Sequence, residues 1–498
     1  LDSWTALHDR MHFSVPDTIE RKDKNGSNYL ASINLAYNVH INGSFHCGIR
    51  FSDLYQFNEQ LRKEFGPRIV AKFPPRKLLS LTLAQVEERR VHLERYLQSV
   101  CQDPGVATSS LFISFFLNAQ KESLSASPEN VQLDVYFMNG QKVSLMIQST
   151  DRTDDILEAL MAEINLNEDL VYYFGLFLIK RADDGEATIV RRFQDFEAPF
   201  LTMKSETGTC RVAVRKTLWD PKIEEKIVKD RIGMNLLYVQ AVSDLDRGWT
   251  VGPKEAHSKL ADLKQKGAKQ EFLQLARSLR FYGYVQFKPC TTNYPEEDTR
   301  VIISVGNREL NFRLQTPGHK IQEGSFKVTR IRCWRITSTS EKNENGDKKE
   351  HLELAFEYLV KKDEMEWITI YSSEAVLMSL CLQSIVDEIL RMKQGRPVKK
   401  PKDRAKLKQE ASPNFERQNS VTSDASIEGD GEQENKALDN SSPPLTSPKT
   451  PQKQSTPGKK TSKQSSNKGL SPKPATLPTN NAAMTTNKVF EGIGDDDL

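Results

Sequence analysis

The sequence predicts an α+β multidomain protein that ends in a disordered tail. A β-hairpin pattern followed by helical spacing occurs twice, within 33–100 and within 131–179. Helical periodicity alone fills 217–284, and short strands closed by one long helix fill 285–395. After that point the composition changes abruptly to Ser, Thr, Pro, Asn, Lys and Gln. At 498 residues the chain has room for about three domains of ~150 residues each.

The first predicted domain spans residues 11–120 and combines a β-sheet with helices. Apolar residues alternate along 33–41, Asn42-Gly43 is a strong hairpin signal, and the alternation then resumes. Residues 51–65 and about 83–100 carry apolar side chains at helical spacing. The domain therefore begins with strands and ends with helices.

Two stretches of this domain have the chemistry of a pocket for a phosphorylated inositol headgroup. They are Arg50-Phe51-Ser52-Asp53-Leu54 and Phe73-Pro74-Pro75-Arg76-Lys77, and Arg89 follows on the second helix. Arginine matches phosphate oxygens through two parallel charge-assisted hydrogen bonds, and the ring of Phe51 offers a flat face to the sugar. The two prolines hold the approach to Lys77 extended, because proline fixes its own φ and restricts the residue before it.

The leucines that follow this loop, Leu78, Leu79 and Leu81, predict a segment that inserts into a membrane. The alternative interpretation is that the charges form a solvated face and that the leucines belong to the core. The two stretches taken singly leave both interpretations open.

The next two predicted domains are a β-grasp module and a helical bundle. Within residues 130–216, two alternating segments flank the turn Asn139-Gly140, a helix follows at 156–164, and a strand resumes at 176–179. Hairpin, helix and strand in this order are typical of a ubiquitin-like fold. Residues 217–284 have the period of helices and predict a small helical bundle.

The fourth predicted domain, residues 285–395, has the pattern of a pleckstrin-homology or phosphotyrosine-binding-like sandwich. Five short strand patterns precede one helix at about 374–392. Along 329–337, Ile331 and Cys333 are expected on one face, because side chains alternate with period two. The other face is then expected to carry Arg330, Arg332 and Trp334.

A tryptophan grouped with two arginines predicts an anchor on an accessible face, the composition that is enriched at binding hot spots. The alternative is a Trp334 partly buried beneath its own sheet. The closing helix is wider in its apolar surface than one sandwich face requires. This width is consistent with a groove in which a peptide adds as a strand, with Met378, Cys381, Leu382 and Ile385 on the helix side, and the family resemblance described below favours that interpretation. A helix that is buried on two sides is the competing interpretation.

Residues 396–498 are predicted to be disordered, because only about a fifth of the tail is apolar. The basic run that opens it, 399–408, fits a solvated linker best, then a patch for anionic membranes, then a nuclear signal. The last residues predict a short linear motif, since they place apolar residues and carboxylates together: Phe490, Ile493, Asp496, Asp497 and Leu498. A PDZ ligand is less consistent with Asp496 at its position.

Bulk composition excludes several classes of function. The net charge of +3 does not suggest a nucleic-acid-binding protein. The six cysteines lack a CxxC pattern, which fits reduced thiols better than disulfides or a zinc site. No apolar run approaches the ~20 residues of a membrane span, and no signal-peptide core is present. A cytosolic protein with only peripheral membrane contact is expected.

No catalytic constellation is present in the sequence, so an enzyme is not expected. P-loop, G-x-S-x-G, H-E-x-x-H and kinase signatures are missing. The eight histidines are dispersed without ligand spacing, so no metal or cofactor is predicted. His40 and His46, which flank the first hairpin, are expected at the surface.

The order of these parts and their motifs resembles the PX–FERM sorting nexins over residues 11–395 and at the terminus from Phe490 to Leu498. The stretches Cys333-Trp334-Arg335 and Cys381-Leu382-Gln383-Ser384 add to the likeness. The resemblance implies a PX domain that binds phosphatidylinositol 3-phosphate on early endosomes. It also implies a FERM module, with a reduced F2 lobe, that captures NPxY or NxxY signals in receptor tails of the lipoprotein-receptor and integrin types. Cargo would then be recycled and escape degradation.

The resemblance also implies roles for single residues. Arg50 falls where the family's arginine meets the 3-phosphate, and Phe51 where a tyrosine commonly stacks on the inositol ring, with Ser52 beside it. Lys77 matches the lysine that contacts the 1-phosphate, and Arg89 the arginine that meets the far hydroxyls. The terminal motif would dock onto the Retriever recycling complex, with Leu498 as its anchor. A cortical FERM scaffold that links membrane proteins to the cytoskeleton is the alternative function.

Overall fold

The computed structural model describes residues 11–20, 35–77, 81–181, 187–315, 321–342, 348–362, 364–405, 484–487 and 489–490. All of these residues fall in one unit. The predictions for six residues therefore fall outside the described residues: Leu78, Leu79, Ile493, Asp496, Asp497 and Leu498. Within the described part of the chain, no helix combines the length and the apolar composition that a bilayer span needs.

The first domain is a sheet with helices packed on it, as its sequence predicts. Its strands are β1 (Phe13–Ser14), β2 (Thr18–Glu20), β3 (Leu35–Ile41) and β4 (Ser44–Arg50). Its helices are α1 (Phe51–Phe65), α2 (Leu83–Val100), α3 (Pro104–Ala107) and α4 (Ser110–Ser123), with a 3-10 turn at Gly66–Arg68. β3 pairs antiparallel with the other three strands. Asn42 and Gly43 both have positive φ, which is why Asn-Gly suits this hairpin turn.

The β-grasp lobe contains a five-stranded sheet in the order β6-β5-β9-β7-β8. Its elements are β5 (Asn130–Tyr136), β6 (Lys142–Gln148), α5 (Thr153–Glu163), a 3-10 turn at Glu168–Tyr173, β7 (Phe174–Arg181), β8 (Ala187–Arg192), α6 (Pro199–Ser205) and β9 (Thr209–Lys216). The helical lobe follows with α7 (Glu224–Ile227), α8 (Arg231–Asp246), α9 (Lys254–Lys266) and α10 (Lys269–Arg277). One hydrophobic core runs through both lobes.

The sandwich lobe joins nine strands, one of which comes from the far end of the chain. Its elements are β10 (Val285–Gln286), β11 (Cys290–Thr292), β12 (Thr299–Gly306), β13 (Glu309–Gln315), β14 (Ile321–Lys327), a 3-10 turn at Val328–Arg330, β15 (Ile331–Lys342), β16 (Lys348–Lys361), β17 (Glu364–Tyr371), α11 (Ala375–Lys393) and β18 (Met484–Thr486). The main strand order is β14-β13-β12-β11-β17-β16-β15-β18, so β15 lies between β16 and the distant β18. The predicted α+β multidomain fold is confirmed. Its tail, however, has defined structure over residues 396–405, 484–487 and 489–490.

The first domain packs directly against the β-grasp lobe. Phe196 of that lobe belongs to the core of the first domain, with its ring 6.0 Å from the ring of His46 and 6.3 Å from that of Phe112. Gln120 accepts a hydrogen bond from the backbone N–H of Ala198 at 2.9 Å. The prediction that His46 lies at the surface is wrong, because this interface covers it. Burial lowers the pKa of His46 to about 4.

Candidate functional sites: a cationic pocket and a peptide groove

The cationic pocket lies where β4 ends and α1 begins. Arg50 is the last residue of β4 and immediately precedes α1. The first backbone N–H groups of a helix have no intrahelical partner, so this end of α1 favours anions. The side chain of Arg50 is 51% exposed, and its Nε lies 3.5 Å from the carboxylate of Asp53. This partly solvated ion pair leaves Arg50 accessible to a stronger anion.

An aromatic face and a second cation lie beside Arg50. The guanidinium of Arg89, on α2, is 4.0 Å from the ring centroid of Phe51. The ring of Phe73 lies 5.5 Å from that of Phe51, on the side of the proline loop. Burial raises the pKa of the neighbouring Tyr37, and the positive charge of Arg89 opposes that shift. The contact between Phe51 and Arg89 therefore joins α1 to α2 at the pocket.

The proline loop supplies the remaining cation. Pro74 is buried, which anchors the loop, and Lys77 lies 4.0 Å from Glu88, the neighbour of Arg89. Ser52 is exposed and donates a hydrogen bond to Asp53 at 3.0 Å. The structure thus brings the five predicted pocket residues to one side of the domain.

The apolar residues near this loop were only partly anticipated. Leu81 is half-buried. Val70 and Leu83 are 85% and 90% exposed, before and after the proline loop. Leu83 was predicted only as the start of a helix, and Val70 is not among the predicted residues. Large exposed apolar side chains beside a basic loop could have been found by asking which ones have no place in the helix core.

The peptide groove is formed by β15 and α11. The predicted alternation along β15 fails because the strand contains a β-bulge between Ile331 and Cys333. A bulge adds one residue to one strand and so exchanges the two faces beyond it. Ile331 and Trp334 consequently both belong to the core of the lobe.

The prediction that Trp334 lies on an accessible face is therefore wrong. The side chain is 1% exposed, and its Nε1–H donates to Ser379 Oγ of α11 at 2.9 Å. Arg332 does remain half exposed, and its Nε–H donates to the nearly buried carboxylate of Glu357 at 2.6 Å. Burial raises the pKa of Cys333, next to this pair, to about 11.

The predicted residues of α11 share one core with Trp334. This cluster includes Met378, Cys381, Leu382 and Ile385, all of them buried. It also includes Val489, which lies 155 positions beyond Trp334 in the chain and is 2% exposed. The groove therefore contains a segment of the protein's own tail.

The tail segment enters the groove as an added strand. β18 pairs antiparallel with β15, with Thr486 opposite Cys333 and Thr485 opposite Trp334. Strand addition at a sheet edge is a common way of binding an extended peptide, because the backbone supplies the hydrogen bonds. Beyond β18, the backbone N–H of Asn487 donates to the carbonyl of Arg332 at 2.9 Å.

Asn487 is the most constrained residue of the segment. Its side chain is fully buried and donates to the carbonyl oxygens of Val328 at 2.8 Å and Ile331 at 2.6 Å. Its own Oδ1 accepts from the N–H of Val489 at 3.0 Å, and its carbonyl accepts from the N–H of Phe490 at 3.2 Å. The side chain thus fixes both the bulged start of β15 and a turn in the tail.

Residues 487–490 read Asn-Lys-Val-Phe, an asparagine three positions before an aromatic ring. This spacing is that of an NxxY signal with phenylalanine in place of tyrosine. Asn487 is not among the residues predicted from the sequence, and Phe490 was predicted only as part of the terminal motif. A search of the tail for the signal expected in the groove would have found the segment.

The comparisons with known proteins follow the same order of parts. Four family models match: the PX domain over 37–119, the sorting nexin 17/27/31 FERM F1 lobe over 131–219, the sorting nexin 17/31 FERM F2 lobe over 220–280, and the sorting nexin 17 FERM C-terminal domain over 283–390. The β-grasp, helical and sandwich lobes correspond to the three FERM models. Among the described residues, no group of His, Cys, Asp and Glu is arranged to hold a metal ion.

Full-length relatives are also similar to this chain. Sorting nexin-17 of Danio rerio is 42% identical over 498 residues, which cover 98% of this chain and 100% of that protein. Sorting nexin-17 of Homo sapiens is 45% identical over 399 residues, covering 78% of this chain and 84% of that protein. Sorting nexin-31 of Homo sapiens is 34% identical over 385 residues, with coverages of 76% and 86%.

Proposed function

Because the chain belongs to the sorting nexin 17 family, with a PX domain and three FERM lobes, we propose that it is a non-enzymatic endosomal cargo adaptor. Its PX domain binds phosphatidylinositol 3-phosphate, and its sandwich lobe binds NPxY or NxxY signals in receptor tails. Cargo bound in this way is directed to recycling and escapes lysosomal degradation. The observation that carries the proposal is the Asn487–Phe490 turn held in the groove by β15.

The pocket chemistry supports a headgroup with a 3-phosphate. Arg50 gives up its weak ion pair with Asp53 and forms a bidentate pair with the phosphate, which is a stronger interaction. The inositol ring lies against Phe51, and Arg89, already fixed over that ring, reaches the far hydroxyls. Lys77 exchanges Glu88 for the 1-phosphate. The exposed Leu83 and Val70 flank the site and contact the lipid surface.

The groove chemistry supports a peptide with asparagine at a fixed distance from an aromatic residue. The two carbonyl oxygens that accept from Asn487 are buried, so a peptide without a donor there would leave them unsatisfied. A receptor tail must therefore present the same asparagine and must displace residues 484–490. Cargo of the lipoprotein-receptor and integrin types follows from the family resemblance and is part of the proposal.

Displacement of the tail by cargo would also release the terminal motif. When a receptor tail occupies the groove, Phe490 leaves it, and the terminal motif that begins with Phe490 is released for a partner. The assignment of that partner as the Retriever recycling complex, with Leu498 as anchor, stays a prediction. Lipid and cargo sites on one body reinforce each other, since membrane capture raises the effective concentration of receptor tails.

Liposome binding tests the proposal. Full-length wild type and Arg50→Ala are compared on vesicles that carry each phosphoinositide, with and without a lipid-linked NPxY peptide. We expect selective binding to the 3-phosphate, a loss of about 10–100-fold in Arg50→Ala, and stronger binding when the peptide is present. Arg76→Ala removes the same charge from the proline loop, where Arg76 packs over Tyr55 at 4.6 Å, and should cost much less.

An equal loss in both variants, with binding that follows total vesicle charge, would contradict a headgroup pocket. A preference for the 4,5-bisphosphate would favour the cortical scaffold. Nanomolar binding of a tail peptide without any membrane would remove the argument for two cooperating weak sites.

A further inference from the structure

The basic run after α11 does not behave as a solvated linker over its described part. Gly395 has a positive φ of 62° just beyond α11, and this turns the chain away from the helix axis. Val398 then packs against the core that the β-grasp and helical lobes share. The four cations from Lys399 to Arg404 each lie within 4.0 Å of a carboxylate of the β-grasp lobe.

Arg404 lies at the centre of this contact. Its side chain is only 6% exposed, with Nε 2.7 Å from Asp154 and Nη1 2.9 Å from Glu158. Its Nη2 also pairs with Asp155. These three carboxylates come from the first two turns of α5 and all contact the guanidinium on the side that faces this helix. A buried cation with three acidic partners is a specific binding site, unlike an ion pair between two exposed side chains.

The lysines occupy separate positions around it. Lys399 lies 3.5 Å from Asp195 and 4.7 Å from the ring centroid of Tyr172. Lys400 lies 2.8 Å from Asp169. Lys402 and its partner Glu168 are both mostly exposed, so this pair contributes little. Contact is therefore concentrated on Arg404 and Lys399, with Val398 as the apolar member.

Asp154 shows how strongly this site depends on its cations. The carboxylate is 1% exposed and is shared between Arg404 and Arg152. Burial raises the pKa of Asp154 to about 6, while Arg152, Arg404 and Lys399 oppose that shift and Asp195 adds to it. Removal of Arg404 would leave a buried carboxylate with one fewer cation, which is costly.

We propose that residues 398–404 form a strap that ties the end of α11, the helix of the peptide groove, to the β-grasp lobe. The strap docks in an acidic cleft formed by the start of α5, the 3-10 turn Glu168–Tyr173 and the loop 193–198. The same loop carries Phe196 and Ala198, on which the PX domain docks. The strap therefore attaches the peptide groove to the piece of the lobe that holds the lipid pocket.

The strap keeps the lipid pocket and the peptide groove on one rigid body. This role of the strap rests on the proposed function of the two sites. Rigid spacing of two sites sets how much the second binding event gains from the first. An opened strap would lower that gain without changing either site. Its docking, in contrast, is independent of lipid and peptide.

Hydrogen exchange of the full-length protein, without ligands, tests the docking. We expect Arg404→Ala to raise exchange in 396–405 and in the first turn of α5 by about tenfold or more. Glu158→Gln should do the same to a smaller extent and Arg404→Lys should be intermediate, since lysine cannot reproduce the planar fork. Lys402→Ala serves as the matched control and should leave exchange unchanged. Wild-type exchange in 396–405 at the rate of an unfolded peptide would overturn the strap, as would an unchanged rate in Arg404→Ala.

The functional arm uses the vesicles described above. In Arg404→Ala the gain from adding the NPxY peptide to 3-phosphate vesicles should fall several-fold, while binding to each ligand alone stays at the wild-type level. An opened strap with an undiminished gain would overturn its coupling role. If wild type itself showed no 3-phosphate selectivity, the proposed function would fail while the exchange result for the strap still stood.

Discussion

The lipid pocket and the peptide groove are each built around an aromatic side chain, Phe51 in the pocket and Trp334 in the groove, yet the polar groups around the two rings differ in their exposure. In the pocket, Arg50 and Lys77 are partly exposed and lie 3.5 and 4.0 Å from single carboxylates. Such exposed pairs contribute about 1 kcal/mol or less each. In the groove, Trp334 and Asn487 are almost fully buried, and the tail supplies backbone and side-chain hydrogen bonds.

The lipid pocket is thus accessible to a ligand as it stands, whereas the peptide groove is occupied by the tail, which a ligand would have to displace. Under the proposed function, a headgroup displaces water and weak ion pairs, so its affinity reflects the pocket alone. A receptor tail would compete with residues 484–487 and 489–490 of the same chain, so its apparent affinity would be reduced to the extent that the tail occupies the groove. Cargo binding would accordingly be the more regulated of the two steps. Four measurements, in decreasing order of expected effect, test this contrast.

Truncation of Trp334 should have the largest effect, because it removes the centre of the groove core. We expect Trp334→Ala to lower the free energy of unfolding of the sandwich lobe by about 3–5 kcal/mol. Trp334→Phe keeps most of the ring and loses the hydrogen bond to Ser379, which should cost about 1 kcal/mol. Denaturant unfolding followed by fluorescence and circular dichroism measures both. Equal, small costs would mean that the ring does not pack between β15 and α11.

Release of the tail should follow from Asn487→Ala. The substitution leaves the buried carbonyls of Val328 and Ile331 without a donor, at a cost of about 3 kcal/mol. Docking of the tail then weakens by roughly 100-fold. A labelled NPxY peptide should bind this variant as tightly as it binds a chain that ends at residue 480, and more tightly than wild type. Asn481→Ala is the matched control. Identical peptide affinities in wild type and Asn487→Ala would refute competition by the tail.

The interface between the PX domain and the β-grasp lobe should lose stability at acidic pH. Burial keeps His46 neutral, with its pKa lowered to about 4 from an ordinary 6.5, and the nearby Arg191 adds to this while Glu197 opposes it. The stabilising contribution is thus complete above pH 6.5 and is lost as the pH falls from 6.5 toward 4. Between pH 7.5 and pH 5 the loss should be about 2 kcal/mol.

Unfolding by denaturant across this pH range measures that loss. His46→Gln should remove about 2 kcal/mol of the pH dependence. His12, whose pKa burial also lowers to about 4, adds a comparable contribution that the His46→Gln variant retains. If the unfolding free energy of His46→Gln kept the full pH dependence, His46 would have to be solvated and the interface between the PX domain and the β-grasp lobe would not be formed.

Lys77→Ala should have the smallest effect of the four. The lysine is exposed and its ion pair with Glu88 is long, so only its contact with the headgroup is lost. We expect binding to 3-phosphate vesicles to fall about 2–5-fold, less than in Arg50→Ala, and the loss to shrink at high salt. A loss in Lys77→Ala that equals the loss in Arg50→Ala would show that total charge, and not a bidentate phosphate contact, governs binding.

Features that depend on neighbours along the chain follow from the local sequence. The Asn42-Gly43 turn, the helix that starts at Phe51 and the helix over 83–100 follow from steric preference and apolar spacing within a few residues. The grouping of Arg50 with Phe51 was predictable for the same reason, since the two residues are adjacent and the prolines stiffen their own loop, whereas the contact of these residues with a headgroup stays a prediction. The order of the four domains was likewise contained in the changes of period.

Features that depend on distant partners are set by long-range packing and are visible only in the folded chain. A single bulge reversed the faces of β15, and period-two reasoning cannot place a bulge that is stabilised by Asn487, more than 150 residues away. The basic run was predicted to be a linker because the carboxylates of α5 that pair with it are distant in sequence. The tail was predicted to be disordered because the strand β15 with which it pairs is also distant in sequence. Burial of a charge or of an amide is favourable only when its partner is present, and that partner is fixed by the fold and not by local sequence.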